Sequence, residues 1–189
     1  MAPYRDILLF VVVLFASNYF WKLTVDGDET VRDSVVTWLG MNVTAPFDGL
    51  SHHIARVVYC LVSTVRDTIS IRGNVLIWET GSATSIAWSC TAIKQTFIWL
   101  CVMLFASGPW KHKLWFIPLG VMCLYAFNIL RITLITLVIE FHPEYFHVLH
   151  AYVFKYLFYG FLFALWAFRP KRAKCEMRNA NVNCYSRRR

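Results

Sequence analysis

The sequence predicts an all-α membrane protein, a bundle of about four transmembrane helices with a small extracytoplasmic cap. Hydrophobic residues make up 58% of the 189 residues and aromatic residues 17%, which exceeds the content of an average soluble domain. Several apolar stretches have the length of a membrane span, because about 20 helical residues at about 1.5 Å each cross about 30 Å of hydrocarbon. A polar interval separates the first stretch from the others. These observations predict one integral membrane domain over residues 1–168.

Four apolar stretches define the predicted spans. They lie at about residues 7–25, 86–107, 114–139 and 147–168. The first stretch has the length of a span but also the position of a signal peptide. Residues 17–22, at its carboxyl end, contain no A-x-A-like cleavage site, so we interpret the stretch as an uncleaved anchor.

The polar interval, residues 26–85, is predicted to form the extracytoplasmic cap. An amphipathic helix is expected around Phe47–Leu61. The phrase TISIRGNVLIW, residues 68–78, predicts a β-hairpin, because isoleucines alternate with polar residues before a Gly-Asn turn and β-branched and aromatic residues follow it. Residues 81–85, GSATS, are expected to form a short loop ahead of the second span. The cap is therefore predicted as one helix and one hairpin.

The distribution of positive charge predicts the orientation in the membrane. The connector GPWKHK after the second span holds two Lys, whereas EFHPEYF after the third holds two Glu and no Lys or Arg. Residues 169–189 hold eight of the 19 Lys and Arg residues, beside one Glu. Because Lys and Arg concentrate on the cytoplasmic side, both termini and this basic tail are predicted in the cytoplasm and the cap outside. The tail also accounts for most of the net charge of +8, so we expect no nucleic-acid partner.

Polar and ionisable side chains recur at one depth of the predicted bundle. Cys90 lies about 6 Å and Arg131 about 12 Å from the outer end of its span, and His150 lies near the start of the fourth span. Ionisable residues inside a membrane usually face the bundle interior or a watery cavity. We therefore expect these three side chains, on three different helices, to meet in the outer third of the membrane.

The three residue types fit covalent chemistry at a carbonyl carbon. A thiol attacks as its thiolate, and a neighbouring cation stabilises that form. Arg131 can supply this charge or donate two hydrogen bonds to an oxyanion. His150 can accept the thiol proton and return it to a leaving amine. Asn128 shares the helical face of Arg131 at i−3, so we expect it to orient the guanidinium or the substrate.

Lys94 and His147 are the supporting residues of this predicted site. Lys94 lies at i+4 from Cys90 and therefore shares its face of a continuous helix. It either pairs with a carboxylate such as Glu79 or adds a second positive charge beside the thiol. His147 is an alternative to His150 as the base, and either histidine can instead be an interfacial residue at a helix start.

These residues resemble the exosortase/archaeosortase family of membrane cysteine transpeptidases. The resemblance covers roughly residues 5–168 and rests on WSCTAI around Cys90, NILRI around Arg131 and HVLHAYVFKYLFYG from His147 onward. It implies that Cys90, Arg131 and His150 form a catalytic triad. His150 is preferred to His147, because an aromatic residue and then a Gly-containing apolar helix follow it at the family's usual spacing.

The resemblance implies a reaction outside the cytoplasmic membrane of a prokaryote. An exported protein with a C-terminal tripartite sorting signal, made of a short motif, an apolar helix and a basic end, is cleaved near the membrane. Its new carboxyl end passes through a thioester acyl-enzyme to an acceptor, either water or a glycolipid amine. The implied partners are these exported proteins and membrane lipids, and no cofactor is implied. The cap, with its hairpin, is expected to bind the extended motif by strand addition.

Two other functions fit parts of the pattern. In a non-catalytic scaffold or assembly subunit, Arg131 and Lys94 pair with acidic groups of another protein, and Cys90 packs as a small hydrophobe. In a metalloprotein, the three histidines of FHPEYFHVLH, residues 141–150, bind a metal with Glu144 nearby. That cluster lacks the HExxH spacing and a general-base Glu between its ligands, which disfavours a zinc hydrolase.

Overall fold

The structure, a computed structural model, describes residues 2–27, 35–106 and 110–168. The chain is mostly helical within those ranges. The basic tail at residues 169–189 lies outside the described residues, so its cytoplasmic position stays a prediction.

Six helices lie in the described part of the chain. In chain order they are α1 (Ala2–Thr24), α2 (Thr44–Ser63), α3 (Ile93–Phe105), α4 (Trp110–Phe141), α5 (Phe146–Val148) and α6 (Phe154–Ala167). Two segments, Tyr4–Thr24 and Lys113–Phe141, are long and apolar enough to cross a membrane, and α3 and α6 are shorter apolar helices. These segments are candidate membrane spans by length and composition, and the number of spans stays a prediction.

Side chains from α1, α3, α4 and α6 share one apolar core. Its buried members include Phe10, Trp99, Leu124, Phe158 and Leu162. Inside a bilayer no water is excluded when helices meet, so close van der Waals packing must hold them together. Phe158 of this core also contacts the Arg131 side chain, so the core lies next to that residue.

Short strands accompany α2 in the cap. They are β1 (Val25–Asp26), β2 (Thr37–Trp38), β3 (Met41–Asn42), β4 (Ile69–Arg72), β5 (Val75–Trp78) and β6 (Ala83–Ser85). They form two antiparallel sheets, in the orders β1-β2-β3 and β4-β5-β6. The predicted fold class is therefore confirmed in part, because the described chain is mostly helical but holds two small sheets where the sequence predicts one hairpin.

The second sheet extends the predicted hairpin by one strand. β4 and β5 pair with Ile69 opposite Trp78, and Gly73 takes a φ of 65° in the turn between them. Residues 83–85, predicted as loop, instead pair with β5, where Thr84 lies opposite Leu76. Their sequence carries no strand pattern of its own. They form a strand because β5 supplies the hydrogen bonds.

The second predicted span begins later than expected. The sequence predicts one helix over residues 86–107, but α3 begins only at Ile93. A 3₁₀ turn, Trp88–Thr91, precedes it, and Ala92 then adopts a left-handed conformation with φ of 60°. A left-handed residue interrupts an α-helix. Ile86 is 1% exposed within the cap core, so its apolar character reflects packing in the cap and not contact with lipid.

The cap is fixed to the bundle through two apolar clusters. In the first, Leu76 and Trp78 of the second sheet pack with Ile132 of α4. In the second, Trp21 of α1 packs with Trp88 of the 3₁₀ turn. The cap therefore packs against both α4 and α1, near the segment that joins β6 to α3.

Gly120 of α4 provides a test of the close approach between α3 and α4. A Cβ placed on Gly120 would lie 2.3 Å from ring atoms of Trp99, so the ring or the helix would have to move. Trp99 is fully buried, and its Nε1–H donates to the Ile117 carbonyl at 3.2 Å. We expect Gly120→Ala to lower the free energy of unfolding by about 1–3 kcal/mol, as overpacking does.

Thermal unfolding of the purified protein in detergent measures this loss. Gly160→Ala in α6 is the matched control, because no atom lies within 4 Å of the added Cβ. Ala also favours a helix interior by about 1 kcal/mol over Gly, so Gly160→Ala should be neutral or stabilising. Equal unfolding temperatures for the two variants would contradict the close packing of Gly120 on Trp99.

Candidate active site

Cys90 lies in the bent connection between the cap and the bundle. It belongs to the 3₁₀ turn Trp88–Thr91, and its N–H donates to the Ala87 carbonyl at 3.0 Å. The Thr91 hydroxyl donates to the Trp88 carbonyl at 2.6 Å and closes the same turn. The thiol is half-buried. Cys90 is thus presented by a rigid turn, not by the continuous helix that the sequence predicts.

The imidazole of His150 lies beside the thiol. Its Nε2 is 3.3 Å from Cys90 Sγ, within hydrogen-bonding distance for sulfur. His150 belongs to a π-helical segment, Leu149–Val153, and its ring stacks on that of Phe146 with 5.4 Å between centroids. A π turn re-aims the side chains of a helix and often occurs at functional sites. The π turn and the stacked ring together direct His150 towards the sulfur.

Arg131 reaches the same sulfur from α4. Its guanidinium donates a side-chain hydrogen bond to Cys90, and its Cζ lies 5.8 Å from the centroid of the Phe158 ring. The residue is only 7% exposed, and its Nε–H has no hydrogen-bond partner within the described chain. Because a guanidinium stays charged in proteins, the sulfur lies beside a permanent positive charge.

Asn128 holds the backbone of the turn that carries Cys90. It is fully buried, and its Nδ2–H donates to the Cys90 carbonyl at 2.8 Å. The sequence predicts a different role, the orientation of the Arg131 guanidinium or the substrate. Its Oδ1 has no partner among the residues that the structure describes. Since Asn128 and Arg131 lie one turn apart, α4 fixes both the backbone and the sulfur of Cys90.

The other two histidines near α5 lie against different partners. His147 packs edge-on against Tyr152, with 5.9 Å between centroids. His142 Nδ1 lies 3.0 Å from the Glu144 carboxylate, whose pKa is lowered by a backbone hydrogen bond and by His142. The described residues contain no group of three His, Cys, Asp or Glu side chains that could hold a metal ion. The alternative of a histidine metal site therefore has no such group of side chains behind it among the described residues.

Comparison with known families bears on this arrangement. The family model described as transmembrane exosortase (Exosortase_EpsH) matches residues 7–169. The chain belongs to the transmembrane exosortase family. The matched range includes Cys90, Arg131 and His150, and membership indicates a membrane transpeptidase in general. Comparisons with curated proteins and with solved structures gave no match to this exosortase.

A cavity of about 410 Å³ opens beside the site of this exosortase, and we term it the basic cavity. Its lining residues are Trp21, Lys22, Trp88, Ser89, Ile93, Lys94, Gln95, Arg131, His150, Lys155, Phe158 and Tyr159. Lys94 is predicted to share a helical face with Cys90. That relation does not hold, because Ala92 interrupts the helix between them, and Lys94 instead lines the basic cavity.

A second, much smaller space is lined by Cys90 itself, and we term it the thiol crevice. Its volume is about 20 Å³, enough for about one water molecule. Its lining residues are Thr84, Ser85, Ile86, Cys90, Arg131, Ile132, Ile135, Phe146 and His150. Arg131 and His150 line both spaces, so they form the boundary between the thiol crevice and the basic cavity.

Sequence reasoning left several lining residues of this exosortase without a role. Lys155 lies within the fourth apolar stretch, and Lys22 lies near the end of the first. A cation inside a predicted span often marks a functional site, so both residues could have been identified from the sequence. Thr84 and Phe146 gave no such signal. Their place at the thiol crevice depends on strand pairing and on the path of the chain after α4.

Proposed function

We propose that this exosortase is a membrane-embedded cysteine protease and transpeptidase with Cys90 as nucleophile. It cleaves a C-terminal sorting signal of exported proteins near the outer face of the membrane and transfers the new carboxyl end to an acceptor. The observation that carries the proposal is the shared contact of His150 and Arg131 with one sulfur. His150 Nε2 lies 3.3 Å from Cys90 Sγ, and Arg131 donates a hydrogen bond to the same atom.

The two contacts supply the parts of a nucleophilic displacement. With its proton on Nδ1, His150 accepts the thiol proton at Nε2, and Arg131 stabilises the thiolate. The sulfur then attacks the scissile carbonyl carbon, and a planar two-donor guanidinium can stabilise the resulting oxyanion. The C–N bond breaks as His150 returns its proton to the leaving amine. The product is a thioester between Cys90 and the new carboxyl end.

The substrate motif is proposed to bind as an added strand on β6. That strand lies at the edge of its sheet, and Thr84 and Ser85 line the thiol crevice together with Cys90. An extended peptide on a sheet edge gains backbone hydrogen bonds along its length. The Thr84 hydroxyl is buried and has no partner within the described residues, so it is also available to a bound peptide.

The site is proposed to face outside the cytoplasmic membrane of a prokaryote, with both termini in the cytoplasm. Trp21, near the carboxyl end of α1, packs with the cap, so the cap and the site lie at one end of the bundle. Lys111 and Lys113 lie in the first turn of α4, at the other end of the bundle. The positive-inside tendency assigns that other end to the cytoplasm.

A thioester on Cys90 is the direct test of this function. We expect the peptide that contains Cys90 to carry a hydroxylamine-labile acyl adduct when the protein is co-expressed with exported proteins bearing sorting signals. The adduct should be absent in His150→Ala, because the thiol then lacks its base, and present at the wild-type level in His147→Ala. Mass spectrometry of the digested protein with and without hydroxylamine measures both variants.

Comparison of His150→Ala with His147→Ala shows whether His150 acts as the catalytic base or whether any histidine near α5 is required. Absence of any labile adduct on Cys90 in the wild-type protein would contradict the acyl-enzyme. Loss of the adduct in His147→Ala but not in His150→Ala would reassign the base.

A further inference from the structure

The basic cavity concentrates positive charge from four different helices. Lys22 of α1, Lys94 of α3, Arg131 of α4 and Lys155 of α6 all line it. None of its lining residues within the described chain is an Asp or a Glu. A single lysine at a helix end extends its ammonium group towards water, which needs no ligand. Convergence of four cations on one space of about 410 Å³ is not explained in this way.

Repulsion between these cations is reduced when an anion occupies the space between them. Unlike charges attract, so an anion between these cations lowers their mutual electrostatic energy. One donor on the lining lacks a hydrogen-bond partner among the described residues, the Nε–H of Arg131, in a residue that is 7% exposed.

The chemical character of the walls narrows the class of anion. Lysine ammonium groups and a planar guanidinium both bind phosphate oxygens through charge-assisted hydrogen bonds. Aromatic rings complete the lining, those of Trp21, Trp88, Phe158 and Tyr159. Tryptophan and tyrosine are typical of the membrane interface, and basic pockets between transmembrane helices bind lipid head groups.

The position of the cavity gives this anion a place in the reaction. A transpeptidase must bring two substrates to one carbonyl carbon, the first held on Cys90 and the second bound beside it. The thiol crevice contacts β6 on one side, and the basic cavity opens on the other, with Arg131 and His150 between them. His150 can therefore take a proton from a group in the basic cavity and pass it to the departing thiolate.

We propose that the basic cavity is the acceptor site and that the acceptor carries a phosphate group next to its nucleophilic amine or hydroxyl. This inference rests on the proposed transpeptidase function. The acceptor's nucleophilic atom bonds to the thioester carbon, the C–S bond breaks, and the proton moves through His150 to the Cys90 sulfur. The phosphate stays bound by the lysines and Arg131 throughout, which orients the nucleophile and excludes uncharged competitors.

Binding of phosphate compounds to the full-length Cys90→Ala protein tests the site without turnover. The titrations use a neutral maltoside detergent and three probes: dihexanoyl phosphatidylglycerol, glycerol 1-phosphate and inorganic phosphate. We expect saturable binding that Lys22→Gln and Lys155→Gln each weaken about tenfold, the effect of one lost charge-assisted hydrogen bond. Lys111→Gln, at the opposite end of the bundle, is the matched control and should bind as the parent does.

Each outcome decides the proposal. Preferential binding of the short-chain lipid supports a lipid head group as the acceptor, whereas equal binding of glycerol 1-phosphate supports a water-soluble phosphate compound. Lack of saturable binding by all three probes, or equal affinities in the lysine variants and Lys111→Gln, would overturn it. A thioester on wild-type Cys90 without phosphate binding would refute this inference and leave the proposed function standing. Phosphate binding without a thioester would refute the proposed function and the acceptor role together, and would leave only an anion-binding site.

Discussion

Cys90→Ala is expected to abolish processing of a sorting signal, with a loss of about 10⁴-fold or more, because no other group replaces the nucleophile of a covalent reaction. Cys90→Ser should fail as well, since a hydroxyl is a much weaker nucleophile than a thiolate at neutral pH. The measurement is pulse-chase conversion of an exported protein with a C-terminal sorting signal, in cells whose only exosortase is the variant.

Cys60→Ala is the matched control for the loss of a thiol. Cys60 is an exposed free cysteine on α2, so its removal should leave processing unchanged. Membrane insertion of each variant is checked by its amount in the membrane fraction. Full processing by Cys90→Ala would end the transpeptidase hypothesis, and a harmless Cys90→Ser would favour the non-catalytic scaffold.

Arg131→Lys is expected to slow processing by about 10²- to 10³-fold, the usual effect of losing one donor to a developing oxyanion. The change keeps the positive charge but replaces a planar fork with a single ammonium group on a flexible stem. Arg131 also approaches the sulfur while it packs on the ring of Phe158, a geometry that an ammonium group cannot reproduce. Arg131→Ala should lose more, because the thiolate then loses both the charge and the hydrogen bond of the guanidinium.

Two readouts separate catalysis from folding in the Arg131 variants. The first is the rate at which a membrane-impermeant maleimide labels Cys90, which should fall in Arg131→Ala, since the thiolate is the reactive form. The second is the unfolding temperature in detergent, which should change little in Arg131→Lys. Arg56→Lys, an exposed residue of α2, serves as the conservative control. Wild-type processing by Arg131→Lys would show that the fork geometry is not required.

The proximity of Cys90, Arg131 and His150 in the structure has a physical explanation. Cys90, Arg131 and His150 stand out in the sequence because polar groups are costly in an apolar bundle and are retained where they meet. Their separate helices were predicted to bring them to one depth, and the structure brings His150 and Arg131 to one sulfur. Their catalytic roles stay a proposal that the adduct and the variants test.

Local pattern alone was misleading where the backbone leaves the helix. The i+4 relation between Cys90 and Lys94 requires helical backbone throughout, and Ala92, with its φ of 60°, removes it. Alanine favours helix, so no local signal marks this position. The bend is fixed by contacts from outside the segment. Trp21 of α1 packs with Trp88, and Asn128 of α4 donates a hydrogen bond to the Cys90 carbonyl.

The sequence by itself determined the class of the protein, the apolar helices, the family resemblance and the residues most able to perform chemistry. These depend on composition, on the length of apolar runs and on short motifs, all of which are local properties of the chain. Only the tertiary structure decided that β6 joins the sheet beside the thiol and that Lys22 and Lys155 face one cavity. Strand pairing and the convergence of helices join residues far apart in sequence, so no local pattern encodes them.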